Sequence, residues 1–337
     1  MLRLSLIKFA HFIVLLCAVI IVIYTYRFEQ SYDFYNYKNW FEIVNSYYSP
    51  HFIFKDPFYY FLSIFYGSLG FSVLLPIVTL VFLSLFTKLI FAFRLSYAVF
   101  ILFVWLYFCR VFFIHDLIQF RIAAASGFGA LFVSCLIDNK RRLSIFWLFL
   151  AIITHMSTVL YVFIFNLFSI SKKSCHTNRY FYLFFSFVPL CLVFGTSEVF
   201  FVKLISMIPI VGDRVVPYIN GTYAYESLSL INTYLLAKIL FYIVFIFLNL
   251  KKQISQERRG AFVFHYLSFF CSVLGTCFFL LFRWNDALAL RFSDTFLIFD
   301  VLFFSMFVNY FNANSKVLVS ILIFVFGLFL LYPSLRV

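Results

Sequence analysis

The sequence predicts an all-α, polytopic integral membrane protein with about ten transmembrane helices, plus short re-entrant or interfacial helices. Three observations lead there. Of 337 residues, 65% are hydrophobic and only 12% are charged. Mean hydropathy is +1.02, and long uncharged runs recur along the whole chain. Basic residues gather in short segments between those runs. A soluble core of this size has no room for so much apolar surface. In lipid, by contrast, a helix satisfies its own backbone hydrogen bonds. Residues 1–337 read as a single transmembrane domain, with no linker, low-complexity tract or internal repeat.

The first apolar run, 9–26, is followed by TYRFEQS, which lacks a small-x-small cleavage pattern. It is expected to be a retained signal anchor and the first span. Further spans are expected near 69–87, 95–109, 117–136, 180–196, 229–250, 261–282, 292–311 and 317–333. Between 143 and 170 lies one more apolar segment, LSIFWLFLAIITHMSTVLYVFIFNLFSI. As one helix rising about 1.5 Å per residue it would reach about 42 Å, enough for a tilted crossing. A single crossing inverts every later basic loop, unless another apolar stretch compensates. Two half-spans meeting near Thr154, His155, Met156 and Ser157 keep both flanks on one side, and that reading is favoured. It places His155 at a helix break deep in the protein, where irregular backbone is tolerated only if it lines a cavity.

Basic residues set the orientation. The formal net charge of +13 would suit a nucleic-acid binder, but the charge lies in short loops, as membrane topology requires. No nucleic-acid partner is therefore expected. NKRR (139–142), Lys172, Lys173 and Arg179, the stretch 251–259, Arg3 with Lys8, and Lys88 with Arg94 are assigned to the cytoplasmic side. The outer loops are then about 27–56, 110–116, 197–228 and 283–291, and most of the acids fall there. Seven cysteines stand singly without CxxC or metal-ligand spacing, which fits small core residues.

The first outer loop mixes Tyr, Trp and Phe with Asp33, Asn36, Lys38 and Asp56. Residues from Tyr35 to Val44 suit a short interfacial helix. Pro57 suits the first turn of the next helix and Asp56 its cap. Residues 57–68 are expected along the interface, before the chain turns inward at Gly67 and Gly70. The rings, Tyr59 among them, fit either an aromatic belt at the headgroups or a surface that stacks on sugars. The large outer loop, with Tyr218 beside Asp213 and Arg214, is read either as a cover over a cavity or as a glycan-binding segment. The sequon at Asn220 is a chance-level signal.

Arg121 opens the run AAASGFGA, with His115 and Asp116 just before it. An arginine there either snorkels to headgroups or meets an anion. The small residues argue for an interior helix on which neighbours approach closely. Arg110, Arg214, Arg283 and Arg291 also stand on the outer side. Guanidinium forks bind phosphate oxygens bidentately and keep their charge, so a polyprenyl pyrophosphate is the expected anion. His155 is either a core histidine or a base or orienting donor in a buried polar pocket. Arg291 and Asp294 stand three apart and fit a simple pair. Asp300, further inside its span, needs a partner, and Lys238 is the candidate. No P-loop, GxGxxG, HExxH or soluble-domain DxD occurs, which argues against nucleotide-driven chemistry and sugar-nucleotide donors.

Taken in order, DPFYYFLS (56–63), FRIAAASGFGALF (120–132), NKRR followed by FWLFLAIITHMSTVLY (139–161), and LALRFSDTF (288–296) resemble the EpsG-like family of Wzy-type O-antigen and exopolysaccharide polymerases. That resemblance implies a metal-independent, cofactor-free glycosyltransferase of the bacterial inner membrane, with its active site facing the periplasm. Its substrates would be undecaprenyl-pyrophosphate-linked oligosaccharides, and its partners membrane lipid and a chain-length regulating co-polymerase. The pyrophosphate would fall to Arg121 and Arg291, with Arg283 and Arg214 in support. The base or acceptor-orienting role would fall to His155, with Asp56 and Asp33 as rivals, and the glycan would meet Tyr59 and Tyr218. The family often has Glu before the proline, where this chain has Asp56. An O-antigen ligase, or a flippase or transporter of lipid-linked oligosaccharide, is the alternative.

Overall fold

The structure is a computed structural model, and it describes residues 32–46, 56–162, 164, 191, 233–251 and 259–334. The expected span 9–26, all of 180–196 except residue 191, the loop 197–228 with Arg214 and Tyr218, and much of the first outer loop lie outside the described residues. Those described form helices and turns with no strand among them. Five of the helices are long and apolar enough to cross a membrane, or six if one bent pair counts as a span. The protein is multi-pass. The chain divides into two compact units, residues 1–162 with 304–337, and residues 163–303.

In the first unit α1 (Tyr32–Ser46) forms where a short helix is expected from Tyr35 to Val44, and α2 (Pro57–Ser68) follows with proline in its first turn. Gly70 then turns the chain at φ 77°, a backbone conformation that suits glycine. Because of that turn α3 runs Leu74–Ala92, five residues later than 69–87. Lys88 therefore lies inside α3 with its side chain 2% exposed, and not in a cytoplasmic loop. A buried ammonium persists only with a partner, and Asp116 supplies it.

That aspartate comes from a second departure. Helix α4 (Tyr97–Leu106) does not end in an outer loop at 110–116. It continues as a π-helical segment, Tyr107–Asp116, giving one 20-residue span. Backbone bonds from Leu117 to Phe112 and from Gln119 to Ile114 carry the wider register past its end. Residues nine apart lie about two and a half turns apart on an α-helix, on opposite faces. With about 4.4 residues per π-helical turn they share a face. Tyr107 can thus donate its hydroxyl to Asp116 at 2.5 Å.

Helix α5 (Phe120–Ile137) is the interior helix that its small residues predict, with 89% of the span buried. Gly127 lies against Ser84 and Thr87 of α3, and Gly129 against the Tyr161 ring. Arg94, just past α3, bonds Ser134 and reaches Asp138 at 2.7 Å, so α3 and α5 run in the same direction. After a turn at Asn139 (φ 60°), α6 (Arg141–Thr154) returns along α5, with Trp147 stacked on Phe128. The helix stops at His155, which is extended (φ −153°, ψ 119°), and a 3₁₀ turn spans Met156–Leu160. Tyr161 then stacks on Phe132, on the Asn139 side of Phe128. By Tyr161 the chain has doubled back on itself, and most of the expected second half-span lies outside the described residues.

The unit is completed by a 3₁₀ turn, Phe307–Tyr310, and a long C-terminal helix, Ala313–Ser334, only 17% of whose span is buried. Val317, Leu318, Ile321 and Leu322 are exposed there, as suits a face toward lipid.

The second unit contains α7 (Thr233–Lys251), α8 (Arg259–Leu281), α9 (Asp286–Asp294) and most of α10 (Leu297–Met306). The expected span 292–311 is broken: α9 and the helix beginning at Leu297 meet at 49° across Thr295 and Phe296. Residues 286–291 of the expected loop belong to α9, whose N-cap Asn285 accepts the Leu288 amide at 3.0 Å. The expected partner of Asp300 is confirmed. Lys238 donates to it at 2.9 Å, Tyr234 at 2.8 Å and Ser272 at 2.5 Å. Tyr242 extends this buried chain to Ser272 and Thr276.

Candidate functional site

In this fold the protein anion facing Arg121 is Asp56. The start of α5 brings the guanidinium to the start of α2, and Nη1 pairs with the Asp56 carboxylate. Pro57 places Asp56 at the N-cap position as expected, but the carboxylate makes no capping bond. It turns to Arg121, since a guanidinium is a stronger partner than the N–H groups of a helix end. The Tyr37 hydroxyl of α1 accepts from Arg121 Nε at 3.1 Å and from its backbone N–H at 3.3 Å. Arg121 Cζ also lies 4.9 Å from the Tyr37 ring centre and 4.8 Å from that of Trp40. Two ring faces, a hydroxyl and a carboxylate thus hold one planar cation. Its side chain keeps 20% exposure, and its Nη2 donates to no described residue.

The rings around it form a support. Tyr59 is fully buried, donates to the Tyr37 carbonyl at 3.1 Å and packs edge-on against Tyr37 and Trp40. This corrects the expected glycan-facing role for Tyr59: its hydroxyl is committed and its faces are covered. Burial pushes the Tyr37 phenol up from its ordinary value, with Arg121 opposing. Burial also raises Tyr59. Asp33, in the first turn of α1, is half-buried and acts electrostatically on Tyr37.

A second polar cluster lies inside the same unit. Asp116 takes Lys88 Nζ at 3.1 and 3.3 Å, Tyr107 at 2.5 Å and the Ser84 hydroxyl. Next to it His115 is fully buried, and Lys88, Arg110 and His155 lie close enough to act on it electrostatically. His155 is half-buried at the break after α6. Its Nδ1 accepts the Ser157 backbone N–H at 3.2 Å and lies 3.1 Å from the Ser157 hydroxyl.

The expected site residues fall in both units. Arg121 and Asp56 meet, with Tyr59 behind them, and His155 belongs to the same unit. Arg283 and Arg291 belong to the second unit, where Arg283 is half-buried and Arg291 is exposed in the last turn of α9. Sequence reasoning missed Tyr37, Trp40 and the Lys88–Asp116 pair. The pair had one signal available, a lone cation and a lone carboxylate each inside an apolar run. The clamp had none, since α1, α2 and α5 are distant in sequence. Among the described residues no three His, Cys, Asp or Glu side chains are placed to hold a metal ion.

These features define a class: a helical, multi-pass membrane protein with charge pairs sealed between its helices and a clamped arginine heading its innermost one. Residues 11–336 match the EpsG family, and the chain belongs to it. Membership supports a polysaccharide-polymerase-like, glycosyl-transferring role. No curated protein and no solved structure matches the chain.

Proposed function

We propose that this protein joins undecaprenyl-pyrophosphate-linked oligosaccharide repeats into O-antigen or exopolysaccharide at the periplasmic face of the inner membrane. The observation that carries this reading is the clamped Arg121, a fixed cation whose Nη2 donates to no described residue. In the reaction an acceptor sugar hydroxyl forms a bond to the anomeric carbon of the donor. The bond from that carbon to the pyrophosphate oxygen breaks, and its electron pair leaves on the lipid pyrophosphate. Negative charge grows on that leaving group, where a donor fixed in advance costs no reorganisation.

Asp56 then acts by holding Arg121. Its carboxylate is already paired, which leaves Asp33 as the better placed of the two for proton transfer. With Nδ1 accepting the Ser157 backbone N–H, the His155 ring offers Nε2 as its donor. It enters as an orienting donor toward the acceptor sugar. Arg291, with Arg283, offers further cations in the second unit, and Arg214 and Tyr218 remain in the proposed set. A chain-length regulating co-polymerase is the proposed protein partner, and neither metal nor cofactor is needed.

The test is complementation of a deletion strain, read as the glycan ladder on a gel. Loss of the gene leaves core bearing one repeat. Arg121→Ala, still inserted and folded, fails to restore the ladder, with a rate loss on the order of 100-fold or more. Arg121→Lys fails largely as well, because an ammonium cannot keep both the Asp56 pair and a bidentate contact. A full ladder from Arg121→Ala would overturn the proposal. Loss of all glycan from core on deletion would point to a ligase.

A further inference from the structure

His115 stands just before Arg121 in the chain, and the mechanism above gives it no task. It is fully buried in the π-helical segment, and neither ring nitrogen has a hydrogen-bond partner among the described residues. A neutral imidazole carries one donor and one acceptor. Leaving both unfilled inside a protein is costly, and such groups are rare in native structures. The contrast with buried His265 is direct, because its Nε2 bonds the Phe303 carbonyl at 3.1 Å.

The surroundings say what the missing partner is. Lys88, Arg110 and His155 lie close enough to act on His115 electrostatically. Asp116 next door is already engaged by Lys88, Tyr107 and Ser84. An imidazole N–H beside the Lys88 ammonium and the Arg110 guanidinium suits a phosphate oxyanion. Arg110 and His155 are only half-buried and border it. We propose that His115 is a further binding residue for the proposed substrate, donating its ring N–H to a pyrophosphate oxygen in the first unit. This rests on the polymerase reading and adds to it a residue on the π-helical segment that continues α4, just before Arg121's helix. The π register matters, because it turns Asp116 onto the Tyr107 face and fixes the direction of the neighbouring His115.

The experiment uses the full chain in lipid nanodiscs with ¹⁵N-labelled imidazoles, the His115 signals being assigned by their loss in His115→Phe. Farnesyl pyrophosphate is titrated in, with inorganic pyrophosphate and farnesyl monophosphate in parallel. The expected result is a shift of the His115 ring nitrogens with farnesyl pyrophosphate, while His265 stays still. Inorganic pyrophosphate shifting them equally identifies a free-phosphate site, and shifts confined to the farnesyl compound identify a lipid headgroup. His115→Phe fills the same space without a donor, and binding weakens about ten-fold or more.

Undiminished affinity in His115→Phe, together with raised thermal stability, would make His115 a core residue and overturn the inference. Failure of the reading underneath it looks different: Arg121→Ala would then bind the probe as tightly as the parent. If His115→Phe does not fold, unmoved His115 signals in the parent protein overturn the inference by themselves.

Discussion

Replacing Lys88 with Met removes an ammonium from the interior of α3 while keeping its apolar stem. Asp116 would then remain buried, holding only Tyr107 and Ser84. At the observed 3.1 Å separation, the Coulomb attraction is about 5 kcal/mol at an effective dielectric near 20. Removing both charges from water offsets much of that, so the intact pair is worth little against an apolar replacement. Cutting one partner is different, because it strands a charge whose side chain is 2% or 0% exposed. Lys88→Met and Asp116→Leu should each destabilise by about 3–5 kcal/mol. The double variant should lose much less than the sum, with a coupling of at least about 2 kcal/mol. Reversible unfolding in mixed micelles, followed by tryptophan fluorescence, measures all four proteins. Two small, additive losses under about 1 kcal/mol would refute the argument, since they would mean that neither charge depends on the other.

The same reasoning applies in the second unit, where Lys238→Met strands Asp300 and should destabilise it by about 3–5 kcal/mol in the same assay. Gly129→Ala drives a methyl group into the Tyr161 ring. It should cost about 1–3 kcal/mol and loosen the turn after His155, visible as faster proteolysis there. Tyr37 and Tyr59 have phenols raised by burial. Their sign is that of an acid kept protonated by folding. Stability is unaffected below the unfolded tyrosine value of about 10 and falls as pH rises above it. A Tyr37→Phe, Tyr59→Phe variant should lose part of that alkaline sensitivity in a pH series of melting curves.

The sequence alone was enough for the statements that depend on local composition. Apolar run length made the protein multi-pass, AAASGFGA made α5 interior, and His155 among small polar residues marked the helix break. Asp300 in a span demanded a cation, and Lys238 met the demand. Register and long-range pairing were decided elsewhere. Tyr107 and Asp116 share a face only because the helix widens into a π segment, which no 3.6-residue periodicity in the sequence announces. Lys88 resembled a loop cation until the turn at Gly70 moved α3 along the chain and Asp116 came against it. Arg121 was legible as a charge in need of an anion. That Asp56 meets it, and that Tyr37 and Trp40 hold it flat, followed only when three sequence-distant helices packed around it. Composition acts through solvation of each segment by itself, whereas the partner of a buried charge is chosen by where the remaining helices come to rest.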